Sequence, residues 1–83
     1  MMVDSQVLDI ISAGVLLGRV SSVLSDFEAE TVAEIGRRFV AFRRQAVVTE
    51  AEWAVLRTAL EAMRGAMAVV TAHQLATHEP EAA

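Results

Sequence analysis

The sequence predicts a small all-α protein, an antiparallel bundle of three helices completed by dimerisation. Apolar residues recur at spacings of three and four, two capping boxes mark helix starts, and no alternating strand pattern is present. With 83 residues, 54% of them apolar, we expect one helical domain over residues 1–77 and a flexible tail over residues 78–83. A chain this short buries only about 60% of its unfolded surface, and it has no cysteine for a disulfide. We therefore expect a homodimer.

The first helix is predicted over residues 4–24 and is apolar around most of its circumference. Small residues form a stripe along that surface, and Gly14 and Gly18 each cost about 1 kcal/mol relative to Ala inside a helix. Such a stripe is typical of a close approach by another helix. It either receives the third helix of the same chain or forms a subunit interface. The residues expected at the subunit interface are Ile10, Gly14, Leu17, Gly18 and Ser21.

The second helix is predicted over residues 26–46, after an S-x-x-E capping box formed by Ser25 and Glu28. Ser and Asp are tolerated inside helices, so one continuous helix over residues 5–46 stays open as an alternative. The acidic residues after the cap are favoured in a first turn by the helix dipole. A buried seam is expected on this helix at Val32, Ile35, Phe39, Phe42 and Ala46.

The third helix, predicted over residues 50–76, has the clearest start. Thr49 and Glu52 form a T-x-x-E capping box. Val48, just before the cap, is placed to pack on Trp53 as a hydrophobic staple. The large apolar residues that follow keep a heptad pattern, which is typical of helices that pack against helices. The residues expected to form a second interaction surface are Leu56, Leu60, Met63 and Met67.

The segment V-V-T-E-A-E-W-A-V-L-R-T-A-L, residues 47–60, resembles the helix that precedes the helix-turn-helix in winged-helix repressors of the MarR and BlaI kinds. In those families a recognition helix and a β-wing follow, whereas here residues 61–76 keep the same helical period. The resemblance therefore implies a related dimerisation-type helix, and it assigns no DNA-binding residue. In general form, a short acidic helical chain, the protein also resembles secretion-system co-chaperones and small antiactivators.

An arginine-rich run, R-R-F-V-A-F-R-R, occupies residues 37–44. Arginine offers a bidentate fork to phosphates and carboxylates, so the run predicts a patch for an anionic partner. The residues of that patch are Arg37, Arg38, Arg43 and Arg44. The alternative is a solvated face on which arginine stems cover neighbouring phenylalanines and Glu34 neutralises part of the charge. The net charge of −4 argues against a general nucleic-acid binder.

The sequence offers no candidate catalytic, metal or cofactor site. His73 and His78 are five residues apart, a spacing that does not place them on one helical face, and no cysteine accompanies them. We therefore expect no cofactor and no enzymatic activity. The apolar run over residues 7–24 is interrupted by charged and polar residues, which argues against a membrane span, and no secretory signal is visible. We expect a cytoplasmic protein.

These observations predict a non-enzymatic protein–protein interaction module, a small dimeric regulator or adaptor that binds a partner protein through apolar helix faces. Two alternatives stay open. A small chaperone for a helical or secreted substrate would leave one apolar seam uncovered in the free protein. A nucleic-acid-binding regulator would combine the arginine-rich runs of two subunits into one stripe, and its binding would fall steeply with salt.

Overall fold

A computed structural model of the chain shows three helices joined by two short 3₁₀ turns: α1 (Asp4–Val20), α2 (Asp26–Phe42) and α3 (Glu50–His78). The structure describes residues 1–78, with side chains over residues 1–72. No β-strand occurs within residues 1–78, so the prediction of an all-α protein of three helices is confirmed. The alternative of one helix over residues 5–46 is wrong, because the chain breaks between α1 and α2.

Between α1 and α2 the chain changes direction, and Ser25 caps the start of α2. α1 ends earlier than the predicted residue 24, and Ser21–Val23 form a 3₁₀ turn. α2 then starts at the predicted capping box: the Glu28 backbone N–H donates to Ser25 Oγ at 3.1 Å, and the Ser25 N–H donates to Glu28 Oε1 at 2.9 Å. Both backbone donors are satisfied locally, so the chain can restart a helix in a new direction.

α2 ends at Phe42, four residues before the predicted end at residue 46. The cause lies in the next residue, Arg43, which has a φ of 53°. Residues other than glycine rarely adopt a positive φ, and this conformation cannot continue a right-handed helix. The chain then passes through a 3₁₀ turn, Arg43–Gln45, before it reaches the start of α3.

α3 starts at the second predicted capping box. The Glu52 backbone N–H donates to Thr49 Oγ1 at 3.1 Å, and the Thr49 N–H donates to Glu52 Oε1 at 3.0 Å. The helix extends to His78, slightly beyond the predicted end at residue 76. The rest of the predicted flexible tail, residues 79–83, lies outside the described residues.

The core is small and aliphatic. α1 packs against both α2 and α3, which also contact each other. Val48 and Trp53, the predicted staple, are half-buried against this core. Among the residues with described side chains, no polar or charged residue is buried. The buried residues are Met2, Ile10, Ala13, Val32, Ile35, Ala46, Leu56, Ala59, Leu60 and Met63.

The N-terminal segment closes one end of the bundle. Met2 is buried, and its backbone N–H donates to the Arg44 carbonyl oxygen at 3.0 Å. Arg44 returns two side-chain hydrogen bonds, from Nη1 to the Met2 carbonyl oxygen at 3.1 Å and from Nη2 to Asp4 Oδ1 at 2.7 Å. These contacts place the end of α2 beside the start of α1, so the two helices run antiparallel.

α3 is longer than the bundle it belongs to. Its 29 residues span about 43 Å at 1.5 Å per residue, whereas the 17 residues of α1 or α2 span about 25 Å. The molecule accordingly measures 54 × 25 × 18 Å. Towards the C-terminal part of α3, Val69 and Val70 are exposed. The apolar pattern of α3 therefore continues past the part that packs in the core.

α1 and the turn that follows it are apolar enough to resemble a membrane-spanning helix. The stretch Asp4–Val23 has a mean hydropathy of 1.4 and is long enough to cross a membrane, and 11% of it is buried. Core helices of soluble proteins and signal sequences meet the same criterion. The interruptions at Asp9 and Arg19 thus leave the hydropathy of this stretch within the range of spanning helices. For the fold, the consequence is that α1 exposes much apolar surface.

Replacing Leu56 by Ala should lower the free energy of unfolding by about 2–5 kcal/mol, because Leu56 is fully buried and the change leaves a cavity. Chemical denaturation followed by far-ultraviolet circular dichroism, at one fixed protein concentration, measures the loss. Val69→Ala is the control: Val69 lies on the same helix but is exposed, so its loss should stay within about 0.5 kcal/mol. Equal losses in the two variants would contradict this core.

Candidate interaction surfaces

The side of α1 that faces away from the core carries an exposed apolar strip, here called the α1 face: Leu8, Ile11 and Val15. Their exposed fractions are 63%, 49% and 56%. Spacings of three and four place the three side chains on one side of the helix. Ile10 and Ala13 point to the opposite side and are buried in the core. α1 is therefore apolar on two sides, and the bundle covers one of them.

A groove between α1 and α2 lies beside Gly14 of α1. It has a volume of about 430 Å³ and is lined by Gly14, Leu17, Val32, Ala33, Gly36, Arg37 and Val40. Apart from its chain neighbours and the nearby backbone of its own helix, a Cβ atom added at Gly14, Gly18 or Gly36 would meet no atom within 4 Å. The expectation that the small-residue stripe receives α3 of the same chain is therefore wrong. Over the described side chains, the glycines face open space.

The residues predicted for the α1 interface divide between core and surface. Gly14, Gly18 and Ser21 are exposed, Leu17 is half-buried against the core, and Ile10 is buried within it. Ile10 in the folded single chain thus presents no free surface. Sequence reasoning missed Leu8, Ile11 and Val15 as a set. The signal was available, since these residues share a side of α1 that includes neither Ile10 nor Ala13.

The second predicted surface lies mainly inside the chain. Leu56, Leu60 and Met63 are buried in the core, where the seam of α3 meets the other two helices, and Met67 is half-buried. These side chains already have apolar neighbours within the same chain. A partner could reach them only if the bundle opened. Over residues 50–72 of α3, the large apolar residues that are exposed are instead Val69 and Val70.

The arginine-rich run does not form a common cationic patch. Arg37 Nη2 contacts Glu30 Oε1 and Glu34 Oε1, each at 2.8 Å. Arg44 instead pairs with Asp4, at the start of α1. Among the described residues, Arg43 forms no ion pair. The carboxylates therefore neutralise most of the positive charge that the sequence places here.

Arg38 links α2 to the start of α3. Its Nη1 donates to Glu52 Oε1 at 2.8 Å and to the Val47 carbonyl oxygen at 3.2 Å, and its Nε donates to Glu34 Oε2 at 3.2 Å. Glu52 Oε1 also accepts the Thr49 N–H, so one carboxylate oxygen serves the ion pair and the helix cap together. Arg38 is thus held among partners from α2, the loop and α3.

These contacts stabilise the ionised carboxylates. The Arg38 guanidinium, together with the Thr49 backbone N–H, lowers the pKa of Glu52 to about 2 from its usual 4.5. Hydrogen bonds from Arg37 and Arg38 likewise lower the pKa of Glu34. In return, Glu52 and Glu34 raise the pKa of Arg38. The contacts in the folded protein therefore favour the charged forms of Glu34, Arg38 and Glu52.

A second groove lies between α2 and α3, beside an exposed aromatic ring. Phe27 is 68% exposed, and the groove has a volume of about 370 Å³. Its lining is formed by Phe27, Glu30, Thr31, Glu34, Ala51, Glu52 and Val55. The floor is apolar, and the glutamates on its edge are the same ones that pair with Arg37 and Arg38. In the part of the chain with described side chains, no group of His, Cys, Asp and Glu could hold a metal ion.

Replacing Glu52 by Gln should lower the free energy of unfolding at pH 7 by about 1–2 kcal/mol, since it removes a charged partner of Arg38 and weakens the cap. Solvent screening limits the loss, because the Glu52 side chain is 25% exposed. Because the pKa of Glu52 is lowered from 4.5 to about 2, its contribution is complete above pH 4.5 and lost as the pH falls towards 2.

Urea denaturation at several pH values measures both effects. The wild-type protein should lose more stability between pH 4.5 and 2 than Glu52→Gln does. Glu61→Gln, on the exposed side of α3, is the matched control and should follow the wild-type profile. A profile for Glu52→Gln that runs parallel to that of the wild type would contradict the Arg38–Glu52 pair.

No protein-family model, no curated protein and no solved structure matches the chain. The α1 face and the groove beside it combine exposed apolar side chains with open space next to the backbone.

Proposed function

We propose that the chain is a non-enzymatic protein–protein interaction module that forms a homodimer through the α1 face and binds a partner protein as a regulator or adaptor. The observation that carries the proposal is the exposure of Leu8, Ile11 and Val15 beside a groove whose glycines have open space at the Cβ position. Isolated exposed apolar residues are ordinary on protein surfaces, whereas a continuous apolar strip marks a binding surface.

The energetics favour covering the α1 face. Burying a Leu, Ile or Val side chain completely contributes about 1.5–3 kcal/mol relative to leaving it exposed. Three such residues in one strip supply anchors for a helix laid along α1. Gly14 and Gly36 line the adjoining groove and let a second backbone come close without a steric clash. The exposed residues Ser5 and Arg19 form part of a polar rim around the strip.

The α2–α3 groove supports the second candidate function, a small chaperone. Phe27 is exposed beside an apolar floor, and aromatic residues are frequent among those that dominate binding energy. Val69 and Val70 add further exposed apolar surface on α3. A helical client could use these residues while the α1 face is occupied. A nucleic-acid-binding function has less support, because Arg37, Arg38 and Arg44 are paired with carboxylates.

Replacing Ile11 by Glu should abolish self-association, because it places a charge in the middle of the α1 face. The measurement is sedimentation velocity over a hundredfold range of protein concentration. Val69→Glu, an equally drastic change at an exposed apolar residue of α3, is the control and should sediment as the wild type does. Circular dichroism checks that both variants keep their helix content.

A wild-type protein that stays monomeric over the whole range would contradict the homodimer. A dimer that persists in Ile11→Glu but dissociates in Val69→Glu would place the interface on α3 instead. The chaperone alternative predicts that Phe27→Ala reduces the protection of a helical client against aggregation while the dimer remains intact.

Replacing Gly14 by Leu should weaken self-association at least tenfold, because the side chain would fill the groove beside the α1 face. Gly65→Leu is the matched control, since Gly65 is also an interior helix glycine with open space at its Cβ position. Both changes replace Gly by a good helix former, so neither should lower helix content. Equal dimer dissociation constants in the two variants would contradict the role of the groove.

A further inference from the structure

We infer that the α1 face is covered by α1 of a second copy, which runs antiparallel to it about a two-fold axis close to Ile11. This inference rests on the proposed function and adds the identity, direction and register of the occupant. It follows from the order of residues along the exposed side of α1. That side carries, from its N-terminal to its C-terminal end, Asp4, Leu8, Ile11, Val15 and Arg19.

The apolar part of this series is symmetric about its centre. Leu8 and Val15 lie about equally far from a point just after Ile11. A two-fold axis through that point reverses the direction of the second helix. Leu8 then contacts Val15 of the partner subunit, and Ile11 contacts Ile11 of the partner subunit. Each large apolar residue of the strip thereby meets another one.

The charges at the two ends select the antiparallel direction. Asp4 lies at the start of α1 and Arg19 near its end, and both are exposed. Antiparallel pairing brings Arg19 next to Asp4 of the partner subunit at both ends of the interface. Parallel pairing would instead place Asp4 beside Asp4 of the partner subunit and Arg19 beside Arg19 of the partner subunit, which like charges disfavour. Antiparallel helix dipoles act in the same direction.

Both charged groups have free hydrogen-bonding capacity for such a contact. Arg44 binds Oδ1 of Asp4 at 2.7 Å, which leaves Oδ2 for a second guanidinium. Arg19 forms no ion pair with any of the described residues. An Arg19 contact to Asp4 of the partner subunit would therefore add to the hydrogen bonds of the single chain and displace none of them.

The groove supplies area that one helix face lacks. A stable interface buries roughly 800 Å² on each partner, more than the face of a helix about 25 Å long provides. The α1–α2 groove borders the α1 face at Gly14, and Val40 on its other side is exposed. A helix laid on α1 can thus also contact α2. The partner's α1 covers the strip and the groove together.

Cysteine cross-linking tests the register, because the natural chain has no cysteine. Under mild oxidation Ile11→Cys should form a disulfide with itself across the two-fold axis. Leu8→Cys alone and Val15→Cys alone should cross-link at least fivefold less, since identical residues away from the axis lie about 10 Å apart along the helices. Mixing Leu8→Cys with Val15→Cys should restore the disulfide. Val69→Cys is the control and should remain monomeric on a non-reducing gel.

Charge reversal tests the direction independently. Arg19→Glu should raise the dimer dissociation constant about 3–10-fold, since it replaces two attractive contacts per dimer by repulsive ones. Arg57→Glu, on the exposed side of α3, should leave the dissociation constant unchanged. The loss in Arg19→Glu should shrink at 1 M salt, where the charges are screened.

The outcomes separate this inference from the proposed function. A dimer in which Leu8→Cys, Ile11→Cys and Val15→Cys all cross-link with themselves equally would overturn the antiparallel register but keep the dimer. A wild-type monomer by sedimentation would overturn both. Flotation with phosphatidylcholine–phosphatidylglycerol vesicles, lost in Ile11→Glu, would identify a lipid surface as the occupant and would also overturn the inference.

Discussion

The arrangement of the helices depends on the Glu52 carboxylate, which both caps the start of α3 and pairs with Arg38 of α2. Glu52 Oε1 accepts a hydrogen bond from the Thr49 backbone N–H at the start of α3. The same oxygen accepts a hydrogen bond from Nη1 of Arg38, a residue of α2. The Arg38–Glu52 contact therefore holds the start of α3 against α2. Among the residues with described side chains, the ten that are buried in the core are all apolar, so they provide no buried polar contact that could fix the register of α3. The Arg38–Glu52 ion pair at the edge of the core adds a polar contact between α2 and α3.

Local signals predicted the starts of the helices better than their ends. The boxes at Ser25 and Thr49 need only residues three positions apart, so a sequence displays them directly. The end of α2 depends on the positive φ of Arg43, and arginine carries no preference for that conformation. At this turn the Met2 N–H donates to the carbonyl oxygen of Arg44, a contact between residues far apart in sequence. Helical periodicity alone therefore predicted an end of α2 at residue 46, whereas the helix ends at Phe42.

The partition between core and surface could be predicted only in part. Periodicity shows that Leu56, Leu60 and Met63 share a side of α3, but it does not show whether the same chain or another covers that side. Ile10 and Ile11 are equally apolar neighbours, and the packing of α1 on two helices buries the first and exposes the second. The Arg38–Glu52 ion pair of the arginine-rich run also depends on how the helices pack. Arg38 and Glu52 are 14 positions apart in sequence, so no helical spacing rule connects them.

The outer sides of α1 and α3 differ in a way that bears on assembly. α3 exposes Arg57, Glu61 and Arg64 in succession, and this charged side is suited to water. α1 exposes an apolar strip and keeps its exposed charges at the two ends, at Asp4 and Arg19. Charges in the middle of a helix face would oppose any apolar contact, whereas opposite charges at its ends leave the contact free and give it a direction. The distribution of charge along α1 is thus what an antiparallel pairing of identical helices requires.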